Sequence, residues 1–324
     1  MFPVISNIFH PERFQGILKR KQYFEGWYFK IIQEEKRIAM AVIPGVAMDK
    51  DGRKHAFIQV LDGLTATAVY HKFPFESFSY HPGKFEISIE NNTFSSNSID
   101  LNLPDLQGSL QFSNQFLWPV NYLIPGIMGP FTFVPKMECY HGIVSMNHEI
   151  KGTLNYKNEP TEFIRGKGYI EKDWGKSFPS AYIWMQANHF NQEGTSIKIS
   201  VAKIPWLGSS FTGFIVALLH ENKLIRFTTY NGSALKNCFA DLHEVKITLS
   251  NNHYLLEIRA IRNQATELAS PINGLMDGKI SESMSSEIFV ILTDKKTGNI
   301  ILQDNSVNAC LEVAGDIKFL TDLP

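Results

Sequence analysis

The sequence predicts an all-β protein built as two antiparallel β domains. Three observations carry that expectation. Apolar and polar residues alternate with period two through most of the chain, which is the signature of strands. Turn-forming residues separate runs of strand length, as in "IPG", "LDG", "ENN" and "DKKTGN". No stretch sustains amphipathic helical spacing beyond about two turns, less than most globular helices use.

The first strand is "YFEGWYFKII". It sets Tyr23, Glu25, Trp27 and Phe29 on one face against Phe24, Gly26, Tyr28 and Lys30 on the other. "KRIAMAVIPG" reads as a second strand ending at a Pro-Gly turn, and "KHAFIQVLDG" as a third. "KFEISIENNTFSS" is a strand followed by an Asn-Asn turn. "MECYHGIVSMNHEIKGTLNY" holds one or two strands with a break near Asn147. The polar, turn-rich "NHEIKGTLNYKNEPTEF" then marks a seam, so the expected domains are residues 1–155 and 156–324. Beyond it the pattern restarts in "FIRGKGYIEKDW", "AYIWMQANHF", "TSIKISVAKI", "FTGFIVALLH", "KLIRFTTY", "EVKITLSN", "HYLLEIRAIR" and "SEIFVILTD". "DKKTGN" is a hairpin turn before "IILQDN".

Composition limits the function classes. A chain of 324 residues can bury a large core. With 44% hydrophobic and 19% charged residues it is globular rather than disordered. Its 24 phenylalanines suit strands and an apolar cavity. A formal net charge of −1 leaves no basic excess for a phosphate backbone, so no nucleic-acid partner is expected. Cys139, Cys238 and Cys310 are odd in number and far apart. They read as reduced thiols in a reducing compartment, which makes the expected location cytoplasmic. The N-terminus lacks the order of a secretory signal.

Residues 116–135, "FLWPVNYLIPGIMGPFTFVP", carry no charge over about the length of a bilayer span. Pro119, Pro125, Pro130 and Pro135 would each remove a helical hydrogen bond. The run is therefore expected to be an apolar loop, with peripheral membrane contact as its expected role.

The common catalytic signatures are missing: no GxSxG elbow, Walker loop, HExxH or dinucleotide fingerprint occurs. His141 and His148 have no standard metal-ligand spacing, and no metal is expected. What stands out is "YIEKDWGKSFPSAYIWMQANHF", two strands around a turn at Gly175–Pro179. Alternation puts Tyr169, Glu171 and Asp173 on one face and Trp174 on the other. After the turn, Tyr182, Trp184, Gln186 and Asn188 share a face opposite His189. Glu138 sides with Tyr140, and His141 with Cys139.

Each of these residues also has a structural reading. Asp173 suits a turn, Glu171 a solvated strand face, and the tryptophans and His189 a core. Glu138, set among Met, Cys and Tyr, is more suggestive, because a buried carboxyl either finds a partner or stays protonated.

The blocks "YFEGWYFK", "GPFTFVPKMECYHGIVSMNHEIKG", "GYIEKDWGKSFPSAYIWMQANHF", "SVAKIPWLGSSFTGF" and "SPINGLMDGKISESM" resemble the tocopherol cyclase family, in the family's order and over nearly the whole chain. The resemblance implies two lipocalin-like antiparallel barrel or sandwich domains packed together with an apolar ligand pocket. It also implies closure of a chromanol ring on a prenylated hydroquinone, a hydrophobic small-molecule substrate.

That reaction needs no cofactor. It does need a protonated acid, aromatic faces beside a tertiary cation, and an oriented phenol. On those demands Asp173 is the expected proton donor, with Glu138 and Glu25 as rivals. Trp27, Trp174 and Trp184 would flank the cation. Tyr182, Gln186 and Asn188 would orient the hydroxyls, and Tyr140 and Tyr169 would line the substrate. His141 or His189 would take the phenol proton. Two alternatives stay open at this level: a lipocalin-like carrier of a prenyl lipid or quinone, and a hydratase or cyclase of another isoprenoid. No protein partner is expected.

Overall fold

The structure, a computed structural model, describes residues 7–35, 37–121 and 124–322. It is all-β and resolves into two units. The first comprises residues 1–178 with 269–279, and the second residues 179–268 with 280–324. The expected division at 155/156 falls at the tip of a hairpin, where Tyr156 pairs with Glu159. The polar composition there belongs to that turn rather than to a linker.

The first unit holds β1 (Tyr23–Ile32), β2 (Ala39–Met48), β3 (Lys54–Asp62), β4 (Thr67–Pro74), β5 (Phe78–Tyr80), β6 (Glu86–Ile89), β7 (Asn92–Ser95), β8 (Ser98–Leu103), β9 (Leu106–Ser113), β10 (Cys139–Tyr156) and β11 (Glu159–Gly175). They form one antiparallel sheet in the order β4-β3-β2-β1-β11-β10-β9-β8-β7-β6-β5. The sheet curls until β3 touches β6, which nearly closes a barrel.

The second unit holds β12 (Ala181–Ala187), β13 (Ser196–Trp206), β14 (Ser209–His220), β15 (Lys223–Thr228), β16 (Ala234–Ala240), β17 (Glu244–Ser250), β18 (Tyr254–Ile261), β19 (Thr266–Ile272), β20 (Leu275–Asp294) and β21 (Ile300–Gly315), followed by the short helix α1 (Lys318–Thr321). Their order is β15-β14-β13-β12-β21-β20-β18-β17-β16, with β19 on β20. The tip of the β19–β20 hairpin counts with the first unit, where Ala269 N–H donates to Gln59 Oε1 at 2.9 Å. Both sheets share a plan in which the first long strand pairs with the last, β1 with β11 and β12 with β21.

Alternation explains each core. Trp27, Phe29 and Ile31 of β1 and Ile170 of β11 point into the first. Ile183, Met185 and Ala187 of β12, with Ile197, Ile199 and Val201 of β13, point into the second. Each fully buried large apolar side chain stabilises the fold by about 1.5–3 kcal/mol.

Two expected breaks are not breaks. β2 runs through Pro44–Gly45, and the β1–β2 ladder lapses only between Gly26/Gly45 and Phe29/Val42, beside the missing proline N–H. β10 continues past Asn147 by means of bulges that shift its register between Ile143 and His148. The strands at 67–74, 98–113, 234–240 and 266–272 are not among the runs read from the sequence, although Ile99, Leu101 and Leu103 alternate with polar residues in 98–103. In the charge-free run, Leu117 makes a single bridge to Ser145, and Gly129–Phe133 forms a 3-10 turn. Among the described residues no helix is long and apolar enough to cross a membrane. Cys139, Cys238 and Cys310 are thiols, none of them in a disulfide.

Candidate acid site on the central strands

β11 lies between β1 and β10, so its side chains have cross-strand neighbours on both sides. His141 and Gly26 sit opposite Asp173, and Ile143 and Tyr28 sit opposite Glu171. Gly26 puts no side chain beside Asp173 on β1; the atoms nearest to a Cβ there would be Ile43 Cγ2 at 3.6 Å and Pro44 O at 3.7 Å. The result is an acid–imidazole cluster on one face. His141 Nδ1 lies 2.6 Å from Asp173 Oδ1, and its Nε2 lies 3.6 Å from Glu171 Oε2. That Nε2 has no hydrogen-bond partner although it is buried. Tyr169 donates its hydroxyl to Glu171.

Glu171 is buried at 2% exposure, which corrects the expectation of a solvated strand residue. Strand position alone could not show what covers it. Asp173 keeps 22% of its side chain exposed, so of the two carboxylates it is the more open to a small molecule. Cys139 Sγ stands 3.8 Å from Asp173 Oδ1. Burial, with Asp173 and Glu138 nearby, pushes its thiol well above the usual range, so it is a weak donor and not a thiolate. One His141 nitrogen and one oxygen from each of Glu171 and Asp173 lie within 4.8 Å of one another, a donor set compatible with a divalent cation.

The opposite face of the same strands carries a different network. Lys172 Nζ contacts Glu25 Oε1 at 2.5 Å, with both side chains fully buried. Glu25 also accepts from Tyr23 hydroxyl at 2.5 Å and from the backbone N–H groups of Gln15 and Gly16. Lys172 donates to the carbonyls of Pro11 and Arg13. Burial pulls the Lys172 pKa down against the pull of Glu25, and burial beside Glu25 pushes Tyr23 well up.

The Lys172 ammonium lies 4.7 Å from the Trp27 ring centre and 4.8 Å from that of Trp174. Two tryptophans expected to flank a carbocation thus flank a lysine. Glu25, a rival for the acid, is saturated by partners on the face away from Asp173. Tyr140 lies on this face too. It stacks on Trp174 at 5.6 Å and donates its hydroxyl to Val134 O at 2.7 Å. The third acid candidate, Glu138, is half-buried. Burial raises its carboxyl pKa, and Lys176 opposes the rise.

In the second unit Tyr182, Trp184 and Gln186 share the β12 face opposite the core, Asn188 follows the end of the strand, and all four are buried. Tyr182 donates to Glu312 Oε2 at 2.7 Å. Trp184 lies opposite Ser200, and Gln186 opposite Lys198. His189 is half-buried, with its ring Nδ1 3.2 Å from Asn188 Oδ1. Sequence reasoning missed Lys172, Lys198 and Glu312. Lys198 and Glu312 lie on the polar side of alternating runs and read as solvent positions, whereas Lys172 shares the face of Ile170 and Trp174, a signal that could have found it.

An antiparallel, lipocalin-like β protein with a half-buried acid–imidazole cluster is the class that fold and cluster define. The family model described as tocopherol cyclase-like matches residues 128–315, more than half of the chain, and the chain belongs to that family. A rice protein (Oryza sativa subsp. japonica) named "Probable tocopherol cyclase, chloroplastic" is 26% identical over 176 residues, 51% of this chain and 37% of that protein. The chloroplastic tocopherol cyclase of Zea mays is 26% identical over 193 residues, 56% of this chain and 40% of that one. The matches therefore span about two fifths of these curated relatives. Two solved structures share the fold. An AttH candidate from Nitrosomonas europaea superposes with a TM-score of 0.51 at 12% identity, covering 90% of this chain and 92% of that one. CghA with Sch210972 superposes with a TM-score of 0.56 at 11% identity, covering 90% and 88%.

Proposed function

We propose that this chain is a proton-initiated intramolecular cyclase that closes a chromanol ring on a prenylated hydroquinone. The observation that carries the reading is the 2.6 Å contact between Asp173 and His141, with Glu171 on the far side of the imidazole. Membership of the tocopherol cyclase-like family supplies the reaction class.

In this mechanism Asp173 delivers the proton, His141 Nδ1 holds the Asp173 carboxyl, and Glu171 lies on the Nε2 side of the imidazole, itself held by the Tyr169 hydroxyl. Asp173 transfers its proton to the less substituted carbon of the prenyl double bond, which leaves a tertiary cation and the Asp173 carboxylate. A hydrogen bond from His141 Nδ1–H stabilises that carboxylate as it forms. The phenol oxygen attacks the cation, the C–O bond closes the ring, and the phenol proton returns to Asp173. Atoms and charge balance, so the step is an isomerisation that consumes no oxidant, reductant or cofactor. Folding the prenyl chain over the ring supplies further rate by proximity.

The test is turnover in heavy water with a panel of prenylated hydroquinones in detergent, read by mass spectrometry. The expected product is a chromanol with one non-exchangeable deuterium on the former alkene carbon. Binding of the same compounds without turnover would overturn the cyclase reading in favour of a carrier. A hydrated, unclosed product would assign a hydratase.

A further inference from the structure

We propose that the tip of the β13–β14 hairpin is a lipid-insertion element, with Trp206 and Leu207 entering the interface of a phospholipid bilayer. Trp206 pairs with Ser209, so Leu207 and Gly208 form a two-residue turn. Both have positive φ, 47° and 83°, the demand of a type I′ turn, for which Asn, Asp or Gly is the usual choice. Leu207 occupies a left-handed position that its side chain disfavours, and that side chain is 93% exposed, so packing does not compensate.

The same chain shows what an ordinary turn looks like. The two-residue turns Lys157–Asn158, Glu221–Asn222 and Asn273–Gly274 also carry paired positive φ, and each begins with a polar residue. Leu242 is nearly as exposed as Leu207, but it stands between Asp241 and His243 with Glu244 beyond.

The surroundings of Leu207 suit a bilayer. Trp206 is 37% exposed and meets Phe211 edge-on at 6.2 Å. Tryptophan is the side chain that anchors at the headgroup level. Below the tip, Lys203 Nζ lies 4.7 Å over the ring of Phe319, and Lys318 precedes that phenylalanine. From Ser196 to His220 the hairpin carries neither Asp nor Glu; of its two lysines Lys198 is buried, which leaves Lys203 and the exposed Lys318 near the tip. Asp316 and Asp322 flank α1, and Asp316 accepts the Lys318 backbone N–H at 3.2 Å. Lysines behind an apolar tip complement lipid phosphates. Two protruding side chains offer far less than the roughly 800 Å² per partner of a stable protein interface. That favours lipid over a second copy of the chain.

The proposal does not depend on ring closure. Its test uses the full chain with vesicles of mixed phosphatidylcholine and phosphatidylglycerol, read by co-sedimentation and tryptophan fluorescence. The parent protein should pellet with vesicles, and Leu207→Asn should bind roughly tenfold or more weakly. Asn suits the left-handed turn, so the variant should melt no lower than the parent, which separates lost insertion from lost folding. A parent that stays in the supernatant would overturn the proposal. So would a Leu207→Asn variant that pellets equally, which would move lipid contact to 116–135. A shift from dimer to monomer in Leu207→Asn without vesicles would assign the tip to self-association instead.

Discussion

His141 Nδ1 and Asp173 Oδ1 lie 2.6 Å apart across a registered pair of β10 and β11. The ladder sets their backbones opposite each other, and the side-chain rotamers close the remaining distance. Asp173→Asn should therefore lower ring closure by about 10²–10⁴-fold, the usual worth of a positioned general acid. Its melting temperature should stay near that of the parent. Full activity in Asp173→Asn would reassign the acid.

The rival carboxyls should behave differently. Glu138 sides with Tyr140, away from His141. Glu138→Gln should keep ring closure within a few-fold of the parent, measured as kcat on the same hydroquinone. A loss as large as that of Asp173→Asn would make Glu138 the donor.

The Lys172–Glu25 pair is a stability element. Lys172→Met leaves Glu25 buried and unpaired, which should cost about 3–5 kcal/mol in denaturant unfolding. Adding Glu25→Gln should recover part of that loss, because no charge is then left behind. Equal destabilisation in the double variant would mean that packing against Trp27 and Trp174, and not charge, dominates.

His148 sets an acid limit on stability. Burial pulls its pKa from 6.5 to about 3, so the folded chain holds it neutral. The unfolded chain takes up the proton first as pH falls below 6.5. The stability from neutral His148 is thus complete above pH 6.5 and is lost as pH drops towards about 3. Burial lowers His55 to about 4, and it adds in the same sense. His148→Gln should flatten the acid side of a plot of melting temperature against pH, and an unchanged slope would rule the residue out.

Gly168 pairs with His148, and a Cβ there would come within 2.1 Å of His148 Nε2. Gly168→Ala should cost about 1–3 kcal/mol through overpacking. His148→Ala in the same chain should relieve part of it, since the clash partner is gone. Additive losses in the double variant would place the strain in the backbone.

The sequence by itself determined which residues share a face. Period-two alternation is a local property of extended backbone, so Asp173 and Glu171 on one side of β11, and Trp174 on the other, could be read from spacing. So could the all-β class and the motif blocks of the family. Alternation does not say which face is covered or which strand is the neighbour. Glu171 reads as a solvent position, and spacing assigns no partner to Lys172 or Lys198, yet the fold buries all three. The pairing of β11 with both β1 and β10, strands far apart in the chain, brought His141 to Asp173 and Glu25 to Lys172. Those contacts depend on long-range register, which turn geometry, bulges and core packing set together and no short stretch encodes. The tertiary structure therefore decided which carboxylates stand with the imidazole and which are bound to a lysine.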